Sequence, residues 1–259
     1  RLLRTNTFAT NSNFFSSVEE MENNIMIACQ IAKSEVEAYY EKTGLTKETY
    51  PVYVAADIGT IYDMEQKDDS NVLAEYHHIV DTFVSAGMDI FWLETQVDVY
   101  YLKRLLAYIK KKAPQAYVMV SFSMDKTAYS KGGLQFDRMV RLMSEMDEVN
   151  AYGLNCGMEA AHMYQLLKNV TFPSEKPVIA LPNAGYPYQL RGKTIYGKNE
   201  SYFQKMVLQI ADLGIDLVGG CCGTTPDYLK EIAEQLKGKK KIEKKTGSPE
   251  TPAVSRTES

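Results

Sequence analysis

Cysteine and histidine are scarce in this chain, with four and three among 259 residues. Four cysteines, two of them adjacent, are too few to staple a domain by disulfides, and neighbouring cysteines pair only through a strained ring. A reduced, cytoplasmic protein is expected. His77, His78 and His162 fall within helical patterns and have no ligand spacing, so histidine is left out of any site. No apolar run approaches the roughly 18 residues a membrane-crossing helix needs, and no signal-peptide pattern follows Arg1. Charge of one sign is also lacking. Lys and Arg number 29 against 33 Asp and Glu, a net charge of −4, so no global field draws the chain to nucleic acid or to a membrane surface. No G-x-G-x-x-G follows the first strand, which argues against an open dinucleotide-binding sheet.

What is present is alternation. Short β-branched or aromatic runs at Leu2–Phe8, Val52–Ile58, Asp89–Thr95, Tyr117–Ser123, Ala151–Cys156, Val178–Pro182 and Asp216–Gly220 read as strands. Several are apolar nearly throughout, as strands covered on both faces should be. Between them lie helical stripes such as Val18, Met21, Ile25, Cys29, Ala32 and Val36, or Leu102, Leu105, Leu106 and Ile109. Cys29 sits in its stripe as a small apolar residue. The last helix is expected to open on Thr225 as N-cap with Pro226 in its first turn. Strand–helix alternation with right-handed crossovers predicts an α/β fold, a (β/α)8 TIM barrel. Seven strands are readable where the barrel has eight. Because the chain opens directly in a strand, the first strand and helix are expected to be missing, leaving an N-terminally truncated barrel over residues 1–237. Residues 238–259, basic and then rich in Ser, Thr and Pro, read as a disordered linker or tail.

The chemistry gathers at strand ends. One strand ends at Cys156, the next at Pro182-Asn183-Ala184-Gly185, and the last in Gly219-Gly220-Cys221-Cys222-Gly223. In a parallel barrel these ends share one face, where active sites lie. Consecutive residues of a regular strand point to opposite faces, so Cys221 and Cys222 can serve one ion only if the backbone turns around them. The flanking glycines allow that turn. Three thiolates select zinc, and three protein ligands with one open position mark a catalytic rather than a structural zinc site. Bonds of about 2.3 Å in tetrahedral geometry place the sulfurs roughly 3.7 Å apart.

Gly153-Leu154-Asn155-Cys156, Pro182-Asn183-Ala184-Gly185 and Gly219 to Pro226 together resemble the three signatures of the zinc-dependent homocysteine S-methyltransferases. Thr5-Asn6-Thr7-Phe8 and Leu93-Glu94-Thr95 resemble that family's second- and fourth-strand motifs. The resemblance runs from residue 1 to about residue 237, and Pro182 to Lys205 is most similar to the branch containing methionine synthase and the bifunctional methyltransferase/methylenetetrahydrofolate reductases. It implies methyl transfer to homocysteine thiolate held on zinc by Cys156, Cys221 and Cys222, with no general base from the protein. It implies Glu94 on the substrate amino group, Asn6 and Thr7 in substrate binding, and Asn183 able to fill the fourth metal position. Cobalamin or methyltetrahydrofolate would be carried on other domains, with a reductase, folate or cobalamin domain downstream. A related thiol or selenol methyltransferase using S-methylmethionine or S-adenosylmethionine, and an inert zinc-binding module, remain the alternatives. Two departures stand out. The family's first-strand Asp-Gly motif has no counterpart, and Asp57 lies in Ala56-Asp57-Ile58-Gly59-Thr60, where many relatives have Gly-Pro after a small residue.

Overall fold

Strand residues here alternate between two apolar environments, and that alternation builds the molecule. In the computed structural model, which describes residues 1–61, 69–197 and 199–247, seven strands form one parallel sheet. They are β1 (Leu2–Arg4), β2 (Tyr53–Ile58), β3 (Ile90–Gln96), β4 (Tyr117–Phe122), β5 (Ala151–Glu159), β6 (Val178–Asn183) and β9 (Leu217–Val218). They stand side by side in that order. Phe91, Leu93, Val118, Val120 and Phe122 point outward into the main core, each fully buried. Trp92, Met119, Ala151, Ile179 and Leu181 point inward and fill the barrel. Each large apolar side chain so enclosed contributes roughly 1.5–3 kcal/mol.

The helices cover the outer face. They are α1 (Val18–Thr43), α2 (Asp69–Ser85), α3 (Leu102–Lys112), α4 (Phe136–Glu145), α5 (Ala160–Leu167), α6 (Glu200–Ala211) and α7 (Pro226–Leu236). Helix α1 starts where the Ser17 side chain accepts from the Glu20 amide and stops at left-handed Gly44. Thr225 takes the extended N-cap conformation before Pro226, but its side chain makes no cap hydrogen bond. Among the described residues, no helix is long and apolar enough to cross a membrane.

This is the (β/α)8 architecture short of one strand. β1 and β9 are the two edges of the curled sheet, and Arg4 of β1 and the loop after β9, with Gly220 and Cys221, line a common cleft of 570 Å³. One hairpin was not expected from the sequence: β7 (Pro187–Leu190) and β8 (Lys193–Tyr196) pair antiparallel between β6 and α6. The segment expected as a solvated tail is laid against the barrel as far as Gly247. The Phe172 amide donates to Lys245 O at 2.8 Å and the Gly247 amide to Phe172 O at 3.0 Å. Lys241 pairs with Asp216, and buried Lys244 reaches Asp216 and Glu175 O. Long lysine stems can be buried while their ammonium groups find acceptors, so a basic run need not be solvated. The remainder of that expected tail, residues 248–259, lies outside the described residues.

Candidate metal centre

Strand β5 does not end cleanly at Asn155. Its pairing with β6 shifts register between Asn155 and Glu159, where Cys156 adopts φ 59° and Gly157 φ 74°. A side chain at Gly157 would collide with the Met124 carbonyl, so glycine there permits the left-handed turn that brings the Cys156 thiol to Cys222. A matching irregularity lies on β3, where Thr95 has φ 56°. Fully buried Asn155 clips the two together. Its Oδ1 accepts from the Thr95 amide at 2.9 Å and its Nδ2 donates to Thr95 Oγ1 at 2.6 Å.

The Cys-Cys loop is fixed from the other side. The Cys221 amide donates to Pro182 O, the Ala184 amide to Cys222 O, both at 2.9 Å, and the Cys222 amide to Asn183 Oδ1 at 3.1 Å. The Thr224 hydroxyl closes the turn on Cys221 O at 2.6 Å. Gly223 is left-handed at φ 79° and lies under the Tyr196 ring, where any Cβ would clash. The backbone therefore turns around the pair, and the two sulfurs face the same point.

As a result Cys156, Cys221 and Cys222 bring their sulfurs within 4.8 Å of one another. Cys156 and Cys222 are 3.6 Å apart, near the spacing tetrahedral zinc requires. Among the described residues this is the one group of three or more His, Cys, Asp or Glu side chains so placed. Hydrogen bonds from Cys156 and then Cys221 hold the Cys222 thiol well below the ordinary range, whereas those with Cys156 and then Cys222 push Cys221 up. Cys221 is partly enclosed and Cys222 exposed, so the cluster has an open side. A soft donor set of three with an open side fits zinc in a catalytic setting. Cys29, by contrast, is buried in the outer core, and burial raises it to about 11.

A polar chain inside the barrel supports the cluster. Trp92 Nε1 donates to Ser121 Oγ at 2.8 Å, Ser121 Oγ donates to Asn155 Oδ1 at 2.7 Å, and Asn155 Nδ2 reaches Cys221 Sγ at 3.8 Å. Asn155 stands in a motif legible in the sequence, yet its role shows only once strands are placed side by side. Tyr196, at the end of the hairpin, is a second unforeseen neighbour. Burial, then its hydrogen bond to Cys222, pushes the phenol up to about 12.

The remaining residues singled out by resemblance are less uniform. Glu94 lies on the inner face of β3, 6% exposed, and forms an ion pair with Arg4. Asn183 is buried with its oxygen engaged by the Cys222 amide. The Thr7 hydroxyl is buried and donates to Asp57 O at 2.7 Å, which makes it a tie between loop and strand. Asn6 is exposed. His162 lies near the mouth, bound to Glu159 and edge-on to Tyr186, outside the sulfur cluster. A cavity of 780 Å³ at the opposite end of the barrel, lined by Leu2, Tyr53, Ile90, Tyr117 and Ile179, holds no such cluster.

Comparison with known proteins agrees with this geometry. The family model described as homocysteine S-methyltransferase matches residues 1–236. Homocysteine S-methyltransferase YbgG of Bacillus subtilis is 28% identical over 187 residues, 71% of this chain and 58% of that protein. Methionine synthase of Mycobacterium leprae is 28% identical over 171 residues, 61% of this chain and 14% of that protein. The chain thus spans between about a seventh and three fifths of the length of these two relatives. In fold it resembles the metallated form of the Escherichia coli homocysteine methyltransferase MmuM, at a TM-score of 0.70 and 21% identity, covering 90% of this chain and 79% of that one.

Proposed function

We propose, because the chain belongs to the homocysteine S-methyltransferase family, that it methylates the thiol of homocysteine to give methionine at a zinc site formed by Cys156, Cys221 and Cys222. The observation carrying this reading is the convergence of three sulfurs, drawn from strand ends 66 residues apart, around a point with one open side. Zinc bound there would lower the pKa of an incoming thiol and supply it as a nucleophile at neutral pH. The protein's own residues do the rest. Asn183 and Thr224 hold the Cys221–Cys222 turn in place. Asn155 donates toward Cys221 and so fixes the direction of that sulfur. Glu94, buried on the inner wall, takes the substrate's ammonium group, and Asn6 and Thr7 shape the loop above it. No protein base is needed, since the attacking thiol loses its proton on binding. The methyl donor approaches from the exposed Cys222 side, as a methylated cofactor held on another domain or as a small onium compound. A reducing compartment belongs to the same reading, because the ligand thiols must stay unpaired.

The test is substitution in the full-length protein. Cys156→Ala, Cys221→Ala and Cys222→Ala are each expected to lose bound zinc and homocysteine methylation together, measured by metal analysis and by methionine formation. Full zinc retention in all three overturns the assignment. Offering S-methylmethionine, S-adenosylmethionine and methyltetrahydrofolate in parallel identifies the donor.

A further inference from the structure

Three charged side chains face one another inside the barrel, one from each of three adjacent strands. Alternation puts Leu2 and Arg4, Ala55 and Asp57, and Trp92 and Glu94 on the inner wall. Asp57 and Glu94 are 4% and 6% exposed. The Arg4 guanidinium pairs with Glu94 and lies 5.3 Å from the centre of the Trp92 ring. Arg4 also lines the cleft it shares with Cys221 and Thr224, so it spans from the acids to the sulfur cluster. Glu94 is joined to that cluster by its neighbour Thr95, which is bound to Asn155.

This arrangement is unfinished as a piece of packing. One guanidinium serves two buried acids, and Asp57 Oδ1 has no hydrogen-bond partner although it is fully enclosed. Burial raises that acid to about 7 against the pull of Arg4. A buried carboxylate oxygen without a partner is costly and calls for a reason. What completes the set is a guest carrying one positive and one negative group. Its carboxylate matches the planar fork of an arginine, and its ammonium can be shared by two carboxylates. Such a guest adds no net charge to the barrel.

We propose that Arg4 and Asp57 complete, with Glu94, the seat for the amino-acid end of the substrate. The substrate carboxylate replaces Glu94 as the partner of Arg4, and the freed Glu94, with Asp57, takes the α-ammonium. The inference rests on the homocysteine reading above and deepens it. It makes Arg4 and Asp57, beside Glu94, the residues that select homocysteine over thiols lacking either charged group.

The test uses full-length zinc-loaded protein and three thiols: homocysteine, 3-aminopropane-1-thiol, which lacks the carboxylate, and 4-sulfanylbutanoate, which lacks the ammonium. Calorimetric titration of the unsubstituted protein is expected to favour homocysteine at least ~10-fold over either analogue. In Arg4→Met, homocysteine falls to the affinity of 3-aminopropane-1-thiol, which itself is not weakened, and Arg4→Lys recovers part of the difference. In Asp57→Asn, the two ammonium-bearing thiols weaken and 4-sulfanylbutanoate does not. Equal weakening of all three thiols in Arg4→Met, or an unchanged preference for homocysteine, overturns the seat while leaving the function intact. Absence of binding by any thiol to the unsubstituted protein overturns the homocysteine reading, and the seat with it.

Discussion

On β3, Phe91 and Leu93 point outward and lie fully buried among helix side chains, whereas Trp92 and Glu94, which alternate with them, point into the barrel. The outward pair needs nothing but contact. The inward pair needs an acceptor for an indole N–H and a counter-charge for a carboxylate, and finds them on Ser121 and Arg4. Phe91 and Leu93 answer only to volume. The upper inner wall carries an acid with one unpartnered oxygen, left-handed residues at Thr95 and Cys156, and three crowded thiols. The difference teaches where stability is made and where it is given up for chemistry.

Substitutions on the two faces should therefore separate stability from binding. The largest expected effect on stability is on the outer face. Phe83 is fully buried and edge-on to Phe91, so Phe83→Ala should destabilise the fold by about 3–5 kcal/mol in denaturant titration while the folded fraction still takes up one zinc per chain. A fall in zinc stoichiometry of the folded fraction would break the contrast. On the inner face Asp57→Asn should do the reverse. The folded-state pKa of Asp57, about 7, lies above the ordinary carboxylate value, so the unfolded chain loses this proton first and stability falls as pH rises from about 4 to 7. Removing the acid should stabilise the protein at neutral pH, by on the order of 4 kcal/mol at most, with the gain absent near pH 3 and constant above pH 8. Thermal unfolding of both forms across that range measures it. The smallest effect is expected at Asn155. Asn155→Ala should weaken zinc by ~10–100-fold in a chelator competition and shift the sulfur-to-metal charge-transfer band of the cobalt-substituted protein, because the donor to Cys221 is gone. An unmoved band with lower stability would make Asn155 a clip between strands and nothing more.

How far the sequence announces these features follows from the same division. The strands were legible because both of their faces are covered, which leaves runs such as Tyr117–Phe122 apolar nearly end to end. The cysteines were legible because an adjacent pair among glycines has no explanation in packing, and Cys29 because its helical stripe gives it one. The hairpin Pro187–Tyr196 buries no face, so periodicity is silent there. Its only mark is Arg191-Gly192, the left-handed pair that a two-residue hairpin turn demands. Arg4 and Glu94 are 90 residues apart, and nothing in either local pattern pairs them. Only the curl of the sheet does. Asn155 was visible within its motif, but its partners Thr95, Ser121 and Cys221 come from three other strands or loops, and side-by-side register cannot be read from one strand alone.

The sulfur cluster joins a central strand to the last one, with Cys156 and Cys222 66 residues apart. An ion gripped there ties that length of polypeptide into a ring, and the gain from such a tie grows with the length enclosed. The stretch from β6 through the turn before α7 would thereby be fastened at the proposed substrate site. On the proposed zinc reading, metal supply would govern more than turnover: zinc-depleted protein is expected to open to proteolysis in this portion of the fold sooner than zinc-loaded protein.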